Sequence, residues 1–228
     1  MVILALDTTT RPGSAAVMQD GRVLREAAGD STREQAVRLP GDLAALLADA
    51  SLSLSDVSAL AVATGPGSFT GLRVGIATMQ GLAVAMRVPL IGVSALDALA
   101  HMAFAQHPGG RVAAWIDAWR GEVFAACYEA GREVSSPTVA KPHDVATELR
   151  DESIRFTGDG ALVHQAVIRD TLGSAARFTD PVAPVLAGAI AALAHAAYLA
   201  GERPLPHAIQ PLYVRRPDVE LTGSHRPV

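Results

Sequence analysis

The sequence predicts an α/β protein built from two similar lobes, and three observations carry that prediction. Each half opens on an apolar strand that ends in an aspartate, Val2 to Asp7 and Arg111 to Asp117. Each opening strand is followed by hairpin partners, and each half then alternates strands with helices. Between the halves lies His107-Pro108-Gly109-Gly110, a boundary by composition. The expected lobes are therefore residues 1–106 and 107–228, with the C-terminal tail a candidate to pack back on the first lobe. At 228 residues the chain has the length for one large domain or two small ones.

After Asp7, Thr8-Thr9-Thr10-Arg11-Pro12-Gly13 makes a turn and Ser14 to Met18 runs back. Asp20-Gly21 is a type I′ hairpin signal leading into Arg22 to Ala27. The hydroxyl-rich loop beside Asp7 has two readings. It is an ordinary Thr, Pro and Gly turn, or its backbone N–H groups cradle a phosphate while Asp7 holds a hydrated Mg²⁺. Ser31 and Thr32, with Glu34 and Gln35 three residues on, form a doubled capping-box pattern that predicts a helix start. Leu39, Leu43, Leu46 and Leu47 are its apolar stripe, and Pro40-Gly41 predicts a kink or break.

The next stretch organises the chain. Val57 to Ala63 reads as a buried strand, which Gly65, Pro66 and Gly67 end. Ser68, Phe69 and Thr70 lead into a helix from Gly71 to Met86 that stops before Pro89. The turn lacks the Lys of a P-loop, the glycine spacing of a dinucleotide fingerprint, and the first glycine of a nucleophile elbow, where Pro66 stands. It is either a structural turn or a helix N-terminus that holds an anion. Gly71 and Gly75 share one helix face, Ala77, Gly81 and Ala85 a second, with Leu72, Ile76 and Met79 between them. One small-residue stripe serves packing on the sheet; two predict a helix gripped on more than one side, and so a partner. Arg73, Gln80 and Arg87 argue against a membrane span.

Val88 to Val93 is a further strand, followed by a helix to Gln106 capped by Ser94 with Asp97 three residues on. In the second half, Glu122 to Tyr128 and Arg132 to Val139 pair beyond the Trp119-Arg120-Gly121 turn. His143 to Arg150 is a helix, Ile154 to Thr157 a strand, and Gly158-Asp159-Gly160 a turn into a helix near Leu162. An Ala-rich helix runs from Pro184 to Gly201, and a Pro-rich stretch leads to the extended tail Leu212 to Arg216. A nucleotide between the lobes, ATP or ADP with Mg²⁺, would meet Asp7, Thr8 and Thr9 on one side and Gly158 and Gly160 on the other. That is the plan of the actin, sugar-kinase and Hsp70 ATPase (ASKHA) superfamily, with its duplicated ribonuclease H-like lobes.

Composition narrows the function. A net charge of −4 and 4% aromatic residues argue against stand-alone nucleic-acid binding. The single cysteine, Cys127, lies in an apolar strand and reads as a buried thiol of a cytoplasmic protein. The seven histidines form no pair at metal-binding spacing, and no Ser-His-Asp set can be located. Neither a metal site nor a catalytic residue is expected.

Five blocks carry a resemblance. Ile3-Leu4-Ala5-Leu6-Asp7-Thr8, Gly65 to Arg73, Ile91-Gly92-Val93-Ser94, Asp117 to Val123 and Pro211-Leu212-Tyr213-Val214-Arg215 resemble the bacterial TsaB (YeaZ) family, in order and over nearly the whole chain. The resemblance implies an actin-like fold without catalytic activity. It implies partnership with the catalytic paralogue TsaD and the ATPase TsaE in forming N6-threonylcarbamoyladenosine at position 37 of tRNAs that read ANN codons. It also implies a homodimer when TsaD is absent, tRNA contact only through the complex, and no membrane. Family dimers form through a helix bundle of the first lobe, which makes Leu39, Leu43, Leu46, Leu72, Gly75, Ile76, Met79 and Gly81 the interface candidates. Many family members carry His where this chain has Gln35. The alternatives are a stand-alone nucleotide-binding ATPase of the same superfamily and, further off, a metalloprotease.

Overall fold

The computed structural model describes residues 1–150 and 153–214. The first sheet is centred on β1 (Val2–Asp7), all six residues of which are buried. A strand covered on both faces reads as a continuous apolar run, not an alternating one. β2 (Ser14–Gln19) and β3 (Arg22–Ala28) follow antiparallel through a turn in which Asp20 and Gly21 have φ of 49° and 81°. α1 (Gln35–Asp49) then leads to β4 (Val57–Gly65), α2 (Phe69–Met86), β5 (Leu90–Ser94) and α3 (Ala95–Gln106). β4 lies parallel to β1 and β5 parallel to β4, so the order is β3-β2-β1-β4-β5.

The second sheet repeats this plan with β6 (Arg111–Asp117), β7 (Val123–Glu129), β8 (Arg132–Ala140), β9 (Ile154–Thr157) and β10 (Ala176–Phe178). Its order, β10-β9-β6-β7-β8, is that of the first sheet read from the other edge. α4 (Pro142–Glu148) enters β9, α5 (Asp159–Val163) and α6 (Gln165–Leu172) connect β9 to β10, and α7 (Ala187–Leu199) comes last.

The two halves exchange their last helices. α3 packs on β6 and β9 of the second sheet, while α7 returns to cover β1, β2 and β5 of the first. Ile3, Met18, Leu96, Leu99, Ile116 and Ile190 share one core between them. The start of α7 is capped from the other lobe: the Ala187 N–H donates to Ser14 Oγ (3.1 Å) and the Gly188 N–H to the Glu26 carboxylate (2.6 Å). Division at residue 106 thus separates the strands but not the core. The stretch from Pro206 to Tyr213 lies along α2, with Ile209 buried and the Leu212 N–H donating to the Thr64 carbonyl (2.7 Å).

Several boundaries differ from expectation for local reasons. α1 begins only at Gln35, because Asp30 takes the N–H and hydroxyl of Thr32 (2.9 and 2.6 Å), a turn that competes with capping. It runs unbroken through Pro40, which is exposed near its start. α2 begins at Phe69, with Ser68 Oγ accepting the Gly71 N–H (3.1 Å). Ser94 caps α3 as expected, accepting the Asp97 N–H. β8 passes through Pro137 because it is an edge strand, where a missing N–H breaks no ladder. α6 and β10 were not legible, the first amphipathic but short, the second only three residues long. By length and composition α2 could cross a membrane; here one side of it packs on β4, β1 and β5.

Candidate partner surface and the interlobe cleft

The loop after β4 is shaped by what it touches. Gly65 and Gly67 have φ of 109° and 158°. A Cβ on Gly67 would stand 2.5 Å from Thr9 Cβ, and one on Gly71 or Gly75 would collide with the carbonyl or hydroxyl oxygen of Thr8. The Ser68 N–H donates to the Thr9 carbonyl (2.9 Å). Gly67, Gly71 and Gly75 therefore form a seam that lets the loop and α2 rest directly on Thr8 and Thr9. Gln35 joins the same corner, its amide donating to the Thr10 carbonyl (3.3 Å).

That seam decides the phosphate reading of the first loop. Thr8 and Thr9 are 0% exposed, covered by their own chain, and do not face a ligand. Asp7 is buried beside them and accepts the Thr9 N–H (2.8 Å) and hydroxyl (2.6 Å). Burial lifts its pKa above the usual carboxylate range, against those hydrogen bonds. Across the cleft, Gly158 and Gly160 are likewise packing glycines. A Cβ on Gly158 would collide with the Trp115 carbonyl, and one on Gly160 would lie 2.7 Å from the Ile116 carbonyl carbon, because α5 sits directly on β6. The acid between them, Asp159, accepts the Asp117 N–H (3.0 Å). Its pKa is pushed up to about 6, first by burial and then by the charges of Asp117 and Asp7. His164 Nε2 stands 3.9 Å from Asp117 Oδ1.

Asp7 and Asp159 line opposite walls of a cavity of about 270 Å³, the rest of which is largely apolar, with Leu99, Ile116, Pro184 and Leu186. Thr8, Thr9, Gly158 and Gly160 are committed to packing and do not line this cavity, whereas Thr10 and Gly13 of the first loop and Ser14 after it do. Among the described residues, no three His, Cys, Asp or Glu side chains converge as a metal cage.

The interface candidates need correction. Leu39, Leu43, Leu46, Ile76 and Met79 are buried under α1 and α2 against Leu4, Leu60 and Val62 of the sheet, and Leu72 is buried beside Gly65. Their own sheet takes the more apolar side of each helix, and Gly75 is internal too. Gly81 alone among the eight faces outward, with nothing within 4 Å of its Cβ position. What the helices leave outside is a second apolar side. On α1 it is Val37, Pro40, Gly41, Ala44 and Ala48; on the adjacent α2 it is Ala77, Gly81, Val84 and Ala85. Val37 and Val84 are each 67% exposed, large for apolar side chains with no neighbour to cover them.

At the head of α2, Phe69, Thr70 and Arg73 of the motif loop are exposed while Gly65, Pro66 and Gly71 are buried. The Arg73 guanidinium lies 3.8 Å over the Phe69 ring, its Nε–H donates to the Tyr213 hydroxyl (3.0 Å), and the two rings stand 5.5 Å apart. Gln80 fastens the tail by donating to the carbonyls of Pro206 (2.9 Å) and Ile209 (3.0 Å). The motif loop and the Pro211–Tyr213 stretch, far apart in sequence, meet here. Arg215 and Arg216 lie outside the described residues.

Two lobes of one strand order, exchanging their final helices around a cleft, define a protein of the actin-like ATPase (ASKHA) fold. An activator of 2-hydroxyisocaproyl-CoA dehydratase from Clostridium difficile, solved with bound ADPNP, shares that fold at 10% identity, with a TM-score of 0.53 over 88% of this chain and 96% of that one. The family model described as "TsaD: tRNA N6-adenosine threonylcarbamoyltransferase" matches residues 29–210. The structure of YeaZ from Pseudomonas aeruginosa is 34% identical, with a TM-score of 0.77 over 93% of this chain and 99% of that one. The tRNA threonylcarbamoyladenosine biosynthesis protein TsaB of Haemophilus influenzae is 34% identical over 70% of this chain and 72% of its own length. That of Escherichia coli is 43% identical over 57% and 55%. An uncharacterized Mycobacterium leprae protein aligns at 32% with all of this chain, which spans 58% of its length. The chain belongs to the TsaB (YeaZ) family, within the wider group that the TsaD model describes.

Proposed function

We propose that this chain serves tRNA threonylcarbamoyladenosine biosynthesis in the cytoplasm as a non-catalytic subunit that binds and activates a TsaD-type catalytic paralogue. A TsaE-type ATPase completes the assembly, tRNA is reached only through the complex, and the chain pairs with itself when alone. The observation that carries this reading is the outward apolar side of α1 and α2, small enough at Ala44, Ala77 and Gly81 for a partner helix to approach closely. The burial of Thr8 and Thr9 under Gly67, Gly71 and Gly75 supports the non-catalytic part, because it takes those two residues out of reach of a phosphate.

The test is reconstitution with the same organism's TsaD and TsaE homologues and unmodified tRNA. Modification should require this chain, and this chain alone should give none. Gly81→Leu should abolish co-elution with the TsaD homologue while the monomer keeps its melting temperature. Full modification without this chain would overturn the reading. A stand-alone ATPase, favoured by Asp7 and Asp159 facing one cavity, would instead show ATP turnover by the purified chain that Asp7→Asn abolishes.

A further inference from the structure

Beside the outward face of α2 lies an open groove of about 480 Å³ between that helix and the tail. Ile76 and Ile209, both buried, line it together with Gln80, Gln210, Arg73 and Tyr213. No Asp or Glu lines it among the described residues, although the whole chain carries a net charge of −4. Arginine side chains on a surface ordinarily sample many rotamers, and ordering one costs conformational entropy. Here that ordering is already complete. Phe69 holds one face of the Arg73 guanidinium and the Tyr213 hydroxyl holds its Nε–H, while the two terminal nitrogens have no partner among the described residues. Phe69 and Tyr213 are two of the three exposed aromatic side chains among the described residues, and they are brought together around this one cation.

We propose that Arg73 is a preformed anchor for a carboxylate on the TsaD-type subunit, carried by an acidic segment whose neighbouring apolar side chain seats on Ile76 and Ile209. The inference rests on the reading of the chain as that subunit's partner and adds the chemistry of the contact. A planar fork with two free donors matches a carboxylate bidentately, which a lysine at the same place would not. Arginine flanked by aromatic rings at the end of an apolar helix face has the composition of an interface hot spot. Positive charge with no acid beside it among the described residues selects an acidic occupant and speeds encounter at low salt.

The experiment titrates this chain with the TsaD homologue by calorimetry at low and at physiological salt. It compares wild type, Arg73→Gln, Arg73→Lys, Tyr213→Phe and Gly81→Leu, each checked for an unchanged melting temperature. Arg73→Gln should weaken binding tenfold or more and flatten its salt dependence. Arg73→Lys should lose at least threefold despite keeping the charge, and Tyr213→Phe should lose less. Wild-type affinity for Arg73→Gln, with Gly81→Leu disrupted, would overturn the anchor and leave the partnership standing. No complex with wild type would overturn both. Binding of tRNA by this chain alone that Arg73→Gln abolishes, with TsaD binding intact, would also overturn the proposal and make the groove an RNA contact.

Discussion

Gly75 and Gly81 lie on the same helix and answer to different neighbours. Gly75 faces Thr8, with no room for a Cβ, whereas the Cβ position of Gly81 meets open space. Gly75→Ala should therefore destabilise the monomer by about 1–3 kcal/mol through overpacking. Gly81→Ala should stabilise it by about 0.5–1 kcal/mol, since the helix loses a residue of high unfolded entropy. Urea denaturation of both variants checks the contrast, and equal effects would mean that Thr8 yields. Asp159 supplies a second residue-scale prediction. Its carboxyl holds a proton to about pH 6 in the folded chain but only to about 3.8 unfolded, so the folded state binds more protons between those values. Stability accordingly falls as pH rises from about 4 to about 6 and levels beyond. Asp159→Asn should remove that share of the slope and raise the melting temperature at neutral pH. Asp7, shifted in the same direction, keeps its own contribution. Thermal melts across that range would refute the assignment if the variant retained the full slope.

Elements show why some of the site was legible and some was not. β1, the Asp20-Gly21 hairpin and the Ser94 cap are written in local chemistry, in an apolar run, a turn pair and a hydroxyl before a helix. The breaking of β4 at Gly65 was equally plain. The faces of α1 and α2 were not. Periodicity marks Leu39, Leu43, Ile76 and Met79 as one apolar side, and the same pattern arises whether a sheet or a partner covers it. The glycines of the two loops posed a like problem, because a glycine that admits phosphate and one that admits backbone look identical in sequence. Only the fold shows that Gly158 admits the Trp115 carbonyl. The start of α7 was illegible for another reason: its caps, Ser14 and Glu26, come from the far end of the chain. Ser14→Ala should cost about 1 kcal/mol, as other lost caps do. Glu26→Ala should cost less than Ser14→Ala, because Glu26 stands at the surface, and partial desolvation against α7 lifts its pKa and so weakens the charged cap. Chemical denaturation of the two variants would rank them.

At the scale of the whole molecule, the exchange of α3 and α7 decides how the chain unfolds. The composition of His107-Pro108-Gly109-Gly110 predicts a boundary between lobes, and the repeated strand order bears out the duplication of the sheets. Yet the face of the first sheet that carries Ile3, Ala5, Met18 and Val93 is covered by α7, supplied by the second half. The second sheet in turn buries Val112, Ala114 and Ile116 beneath α3, supplied by the first. A fragment ending at residue 106 would lack α7 and leave its α3 without the sheet it covers, exposing two apolar faces to water. Burial is worth about 25 cal/mol per Å² of apolar surface, and marginal stabilities of about 5–15 kcal/mol do not survive losses of that kind. Fragments 1–106 and 107–228 should each melt without a cooperative transition, while the full chain should unfold in one. Scanning calorimetry with equal calorimetric and van't Hoff enthalpies would establish the single unit. Two resolved transitions, or a folded 1–106 fragment by amide exchange, would show instead that each sheet closes its own core and that the exchanged helices dock as a later step.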